Sequence, residues 1–465
     1  MTRSLALSLV CALAGTAAAQ NCSQTSVGLT PLNDLGTGTY QGFVGGLYPG
    51  GANVAPPTHA AAGAALAATI VPRLADGSPA PPAAPGGRIV LVALGMSNAT
   101  QEFSTFVQTS NADVHRAPPV RVVDAAQGGI HAGLMADPMH PYWNVVSTRL
   151  AQAGVTESQV QAVWIKNAHA SPTLGFPAHA TALKDDLRAI VQNARLKFPN
   201  LRLAFLSSRT YGGYAAGALN PEPYAYESGF AVKWLIEDQI AGDPALNFDP
   251  SAGPVVAPWL AWGPYLWADG LVPRSDGLTW ECRDFAADGV HPAPLGRFEV
   301  AERLHAFFHS EPTAAPWYAT ANAHPVPAAL YQYGEPAPGA NGPLALVGTG
   351  GPELGTQFNG LGVANAPPNA LAVVFLATGY DDLALSGAHV YVDLNTIFLP
   401  APGLFSGFTT NANGFGLFSL GVPNIPALMG LNVYAQIAVA DPGAAAFPEL
   451  GGLALTRGIR LVLGT

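Results

Sequence analysis

From Arg88 onward the apolar positions fall in short unbroken runs: Ile89–Leu94, Val120–Val123, Ala162–Ile165 and Leu201–Leu206. Runs this short, rich in β-branched residues and without alternation, predict strands buried on both faces. Between them the apolar spacing becomes helical. Over His179–Lys197, Leu183, Leu187, Ile190, Val191 and Ala194 share one face, with Lys184, Asp185, Arg188 and Asn193 opposite. Tyr142–Ala153, Tyr226–Ile240 and Pro294–Phe308 are the other expected helices. Strands alternating with helices predict right-handed crossovers and a parallel sheet with helices on both sides, an α/β domain over 88–311.

The flanks read differently. Residues 20–87 are rich in Ala, Pro and Gly, with one helix expected over Ala60–Ile70 and a stiff connector at Ser78–Pro82. This stretch is expected to be an extension packed on the α/β domain. Residues 312–330 carry Pro312, Pro316, Pro325 and Pro327 and read as a linker. Beyond it, over 331–465, short β-like runs (Ala372–Ala377, Val390–Leu394, Val433–Val439) alternate with Gly, Pro and Asn turns. That segment has no Lys and only two Arg. An all-β sandwich is expected there.

Residues 1–19 have the form of a secretory signal: Arg3, an apolar Leu5–Leu13, and Ala17-Ala18-Ala19 before Gln20. The apolar stretch is too short for a stable span. A protein exported from the cytoplasm is expected, without a membrane span, whether secreted, periplasmic or on the cell surface. Removal of the signal leaves two cysteines, Cys22 and Cys282, as candidates for one disulfide; two separate buried thiols are the alternative. The formal charge of −10 argues against nucleic acid as a partner. Oligomeric state is not legible.

Four stretches carry chemistry: Gly95-Met96-Ser97-Asn98, Gly128-Gly129, Asn167, and Asp288-Gly289-Val290-His291-Pro292. Ser97 follows the first strand, and ligands of open parallel sheets gather at the carboxyl ends of strands. A serine hydroxyl needs a base to become a nucleophile. Asp288 and His291 are spaced so that the carboxylate reaches one ring nitrogen, leaving the other toward Ser97. Gly129 offers an open backbone N–H and Asn167 a side-chain amide. With the N–H of Ser97 these are three candidate oxyanion donors. Taken singly, each element also fits a helix cap, a turn or a capped loop.

In this order the blocks resemble the SGNH (GDSL-like) hydrolase family, with Ser97, Gly129, Asn167, and Asp288 with His291 at the matching positions. The resemblance covers roughly 88–310. It implies a flavodoxin-like three-layer α/β/α fold and a serine esterase needing no cofactor and no metal. The first block, Gly-Met-Ser-Asn, is closer to the Gly-x-Ser-Asn form of sugar O-acetyl esterases than to Gly-Asp-Ser. The third, Ile165-Lys166-Asn167-Ala168, carries a Lys and lacks the usual Asp. The C-terminal segment is similar to the β-rich module that ends many secreted planctomycete-type proteins, on Gly351–Gly355, Val422–Gly430, Tyr434–Gln436, Asp441–Gly443 and Gly452–Gly458. The cysteine pair of such modules is absent.

Asn98, His169, Tyr211 and Trp280 are candidate substrate-lining residues. Trp259, Trp262, Trp267 and Trp280 either present sugar-stacking faces or form the core of an insertion. His131, His140, His169 and His179 with Asp137 lack regular metal-ligand spacing. The expected substrate is a small-molecule or polysaccharide ester, with a carbohydrate O-acetyl ester in front. A lipase-like carboxylester hydrolase, an acyl transferase and an inactive glycan-binding surface protein remain as rivals.

Overall fold

A computed structural model describes residues 20–113, 115–320, 328–347, 351–398 and 407–464. The expected signal segment, and Pro325 and Pro327 of the expected linker, lie outside the described residues.

The central sheet has five parallel strands: β1 (Ile89–Gly95), β2 (Val120–Asp124), β3 (Val160–Lys166), β4 (Leu203–Leu206) and β5 (Trp259–Trp262), in the order β2-β1-β3-β4-β5. This is the flavodoxin-like order, with its topological switch at β1. Every residue of β1, β3, β4 and β5 is buried. That burial is why their sequence shows runs rather than alternation. The helices are α1 (Ser97–Ala112), α2 (Tyr142–Gln152), α3 (Ala178–Lys197), α4 (Tyr224–Ile240) and α5 (Pro294–Ser310). α1 packs on α5, and α3 on α4. Right-handed crossovers place the two pairs on opposite faces of the sheet.

Two elements escaped the sequence reading. α1 is not expected from the sequence, because Ser97–Ala112 carries many Thr, Ser and Asn, residues that favour caps and turns over helix interiors. β5 lies in the tryptophan-rich stretch whose sequence is compatible both with sugar-stacking faces and with the core of an insertion. All four tryptophans of that stretch are buried core. Trp259 and Trp262 donate their indole N–H groups to His59 O (3.1 Å) and Leu47 O (2.6 Å). Residues 47–67 thereby cover β5, the edge strand. The expected helix of that extension runs Pro57–Ala67, with proline at its first position, where a missing N–H costs nothing.

Part of the expected linker is not extended: Ala315–Tyr318 is a helical turn with Trp317 and Tyr318 buried. The C-terminal strands are antiparallel. β6 (Ala329–Tyr333), β7 (Ala345–Val347), β8 (Gln357–Ala364), β9 (Leu371–Ala377), β10 (Tyr380–Leu385), β11 (Ala388–Val392), β12 (Gly407–Thr409), β13 (Gly416–Gly421), β14 (Asn432–Ala440), β15 (Leu453–Leu455) and β16 (Gly458–Val462) follow in sequence. The main sheet runs β12-β9-β14-β16-β6, with β15 also paired to β14; it packs against the sheet β13-β8-β7. β6 faces the α/β domain. Phe298 of α5 meets Tyr331 and Tyr333 with ring centroids 5.1 Å apart, and Arg460 donates to Glu302 at 2.6 Å.

Candidate active site

Ser97 is the first residue of α1, two residues past the end of β1, with Met96 between them. Its N–H belongs to the first helical turn, where backbone donors lack intrahelical acceptors and the helix dipole is positive. Residues 286–293 form the loop that leads into α5. Gly289 in it has φ +67°, and a Cβ there would lie 1.8 Å from Tyr214 O, so only glycine fits.

The loop brings His291 to the serine. Ser97 Oγ–H donates to His291 Nε2 at 2.8 Å, and His291 Nδ1–H donates to Asp288 Oδ2 at 2.5 Å. Asp288 Oδ1 accepts the N–H groups of Val290 and His291, both at 2.9 Å. Partial burial alone would raise the Asp288 carboxyl. The hydrogen bonds from His291 and Val290 outweigh it and hold the group below its ordinary range. The carboxylate is therefore charged and oriented, fixing the tautomer that leaves Nε2 as acceptor. Asn98 Nδ2 donates to Val290 O at 2.7 Å, tying the start of α1 to the histidine loop.

Ser97, Asn98, Gly129, His131, His169, Arg209 and Asn220 line a small pocket of about 40 Å³, with Met96, Ala170 and Leu219 as its apolar wall. Gly129 has φ +81° and open space where a Cβ would stand, so its backbone approaches a ligand freely. His169 lines the pocket as expected and pairs with Asp186 at 2.8 Å. The larger grooves lie away from the Ser97–His291 pair. One of about 430 Å³ runs between α1, α5 and β6.

Three expected site residues sit elsewhere. Asn167 is buried behind the pocket lining; its Nδ2 reaches Ile130 O (3.2 Å) and Met135 Sδ (3.6 Å), and its Oδ1 accepts from Ala168 N–H. It braces the loop after Gly129. Tyr211 is core, donating to Gln24 O at 2.7 Å. Trp280 is core as well, donating to Leu266 O at 2.8 Å. Neither lines the pocket. Cys22 and Cys282 are disulfide-bonded, with Cα atoms 5.3 Å apart.

Lys166, the departure in the third block, is fully buried and donates to both oxygens of Glu102 on α1, at 2.6 and 2.7 Å. Burial pulls its ammonium down to about 8 against the opposing field of Glu102. The pair fastens α1, the helix that begins at Ser97, to the strand that precedes Asn167.

The sequence reading missed Arg209, although it is among the first polar residues past β4, at the carboxyl edge. It also passed over His305 and His309, four apart on α5. Both donate to Asp113 Oδ2, just past the end of α1, at 3.2 and 2.7 Å. Burial would raise the Asp113 carboxyl, but the two imidazole donors hold it far below its usual range. These three offer metal-ligand atoms within 4.8 Å of one another. A closed structural zinc site takes four ligands, and no fourth joins the group among the described residues. As it stands it is a hydrogen-bonded clasp between α1 and α5.

No family model matches the chain, and no curated protein does. Two solved structures align with about half of it. One is a Bacteroides fragilis protein provisionally assigned as an acylhydrolase, 13% identical over 52% of this chain and 90% of that one, TM-score 0.26. The other is the periplasmic domain of the lipopolysaccharide acetyltransferase of Salmonella ser. Paratyphi A, 12% identical over 47% of this chain and 82% of that one, TM-score 0.27. At scores this low neither likeness decides the fold or the activity of this chain.

Proposed function

We propose that this chain is an SGNH-type serine ester hydrolase acting outside the cytoplasm on short-chain esters, with a carbohydrate O-acetyl ester as the leading substrate class. The observation that carries the reading is the continuous relay Asp288–His291–Ser97, closed at hydrogen-bond distance between residues nearly 200 positions apart. In the reaction Ser97 Oγ attacks the ester carbonyl while His291 Nε2 takes its proton. Asp288 stabilises the imidazolium. The N–H groups of Ser97 and Gly129 receive the oxyanion, with Asn167 holding the Gly129 loop in place. His291 then returns the proton to the departing alcohol, and water, deprotonated by the same histidine, releases the acid.

The pocket's size supports a short acyl group. About 40 Å³ is room for roughly three waters, enough for an acetyl and too little for a fatty chain. The buried tryptophans remove the stacking platform considered for sugars, so the carbohydrate preference rests on the Gly-x-Ser-Asn block alone. The disulfide fits an oxidising compartment.

The test is acid release from a series of 4-nitrophenyl esters, beside Ser97→Ala. Acetate is expected to exceed butyrate in kcat/KM by about 10-fold or more, since a mis-sized methylene is worth ~1–3 kcal/mol. Activity rising with chain length would reject the short-chain reading and favour the lipase-like one. Equal rates for wild type and Ser97→Ala would reject the serine mechanism.

A further inference from the structure

Arg209 stands two residues past Ser207 at the carboxyl end of the sheet, lines the Ser97 pocket, and is almost fully buried. Its Nε and Nη1 have no hydrogen-bond partner among the described residues. A buried guanidinium without a partner is costly, because desolvation of the charge goes uncompensated.

The carboxylates whose fields reach Arg209 are Glu102, Glu222 and Asp288. Each is held by other donors. Glu102 binds Lys166 with both oxygens, and Asp288 binds His291. Glu222 accepts from Gly212 N–H, Tyr226 N–H and the Trp267 indole at 2.7, 3.0 and 2.7 Å. Two further lining groups are unmatched as well: Nδ1 of His131, a potential donor, and Oδ1 of Asn220, an acceptor. Asn220 is fixed by donating its own amide to His169 O at 3.2 Å. Nothing in the relay of Ser97, His291 and Asp288 uses any of the three.

We propose that Arg209 is a specificity-determining residue that pairs with a carboxylate carried by the substrate beside the scissile ester, so that the pocket selects O-acylated acidic sugars. This deepens the esterase reading and rests on it. A guanidinium presents paired donors that match a carboxylate. The unmatched Asn220 oxygen calls for a hydroxyl donor next to that carboxylate, which an acidic sugar supplies and a simple dicarboxylic hemiester does not.

Selectivity is read as the ratio of kcat/KM for acetylated methyl galacturonoside to that for acetylated methyl galactoside, by acetate release. A second pair, 4-nitrophenyl hemisuccinate against 4-nitrophenyl butyrate, tests the hemiester source. The wild-type sugar ratio is expected to be about 100, a pairing worth ~2.7 kcal/mol. It should fall below about 3 in Arg209→Met and return to about 10 in Arg209→Lys. A wild-type sugar ratio near one, or one unchanged in Arg209→Met, overturns the proposal. Preference confined to the hemisuccinate overturns the acidic-sugar assignment. Calorimetric binding of galacturonate against galactose to the Ser97→Ala protein separates the two levels. If wild type cleaves no ester yet Ser97→Ala binds galacturonate at least 10-fold more tightly than galactose, the esterase reading fails and the Arg209 carboxylate site stands. Equal binding of the two sugars counts against it.

Discussion

Replacing Glu102 with leucine while keeping Lys166 leaves an ammonium in the core with its partner gone. In the native protein Nζ lies 2.6 and 2.7 Å from the two carboxylate oxygens, and neither side chain is exposed. At an effective dielectric of ~20, a charge pair near 3 Å attracts by about 5 kcal/mol. Desolvation of both charges offsets much of that, so the pair adds little net stability. Breaking it from one side is different, and an uncompensated buried charge costs about 3–5 kcal/mol. Glu102→Leu is expected to lower the unfolding free energy by that amount near neutral pH. Glu102→Leu with Lys166→Met should come back to within about 2 kcal/mol of wild type. The sign of the pH effect follows from the lysine. Its folded pKa lies below the ordinary 10.5, so the folded state gives up its proton first, and stability rises with pH from the depressed value up to 10.5. In Glu102→Leu the rise should begin at lower pH than in wild type, because the Glu102 charge is what opposes the effect of burial on Lys166. Urea unfolding followed by tryptophan fluorescence gives both free energies. A single variant that loses under 1 kcal/mol, or a double variant as unstable as the single, would refute the buried-pair reasoning.

Asp288→Asn should keep the fold and lose roughly 10³–10⁴-fold in kcat on an acetyl ester, because the imidazole loses its orienting charge and tautomer; steady-state kinetics beside a circular dichroism melt checks it. Cys22→Ser with Cys282→Ser should lower stability by up to about 5–6 kcal/mol, the loop-closure value for so long a separation, read from denaturant midpoints. For Asp113 the folded pKa is depressed, so its contribution is complete above about pH 4 and lost as pH falls below that. Asp113→Asn should therefore cost about 2–4 kcal/mol at neutral pH and flatten the acid limb of the stability profile. An unchanged acid limb would count against the clasp.

The parallel sheet was legible because strands buried on both faces leave unbroken apolar runs, as at Ile89–Leu94 and Ala162–Ile165. α1 was not, since Thr, Ser and Asn crowd it and read as caps and turns, and polar residues (Glu102, Thr105, Thr109 and Ser110) are buried beside Phe103 and Phe106. β5 was hidden because tryptophan is ambiguous between core and surface, and only tertiary packing against residues 47–67 settles it. Ser97, Gly129, Asp288 and His291 could be read from position relative to strands, and they meet in space. Asn167 follows β3 as expected, but which way its amide points depends on the Ile130 carbonyl, which no local pattern reveals. Tyr211 follows β4 at the right edge and still turns into the core. Arg209, two residues earlier, faces the pocket. Position after a strand marks the carboxyl edge of the sheet, while side-chain direction within the following loop is set by its neighbours.

The proposed mechanism requires an activated serine at position 97. Its most direct test is intact-mass analysis of the protein after treatment with a fluorophosphonate, beside Ser97→Ala. One phosphonyl adduct on the wild type, mapped to Ser97 and absent from the variant, is the expected result. A folded wild type that takes up no adduct, or a variant labelled to the same extent, would contradict it.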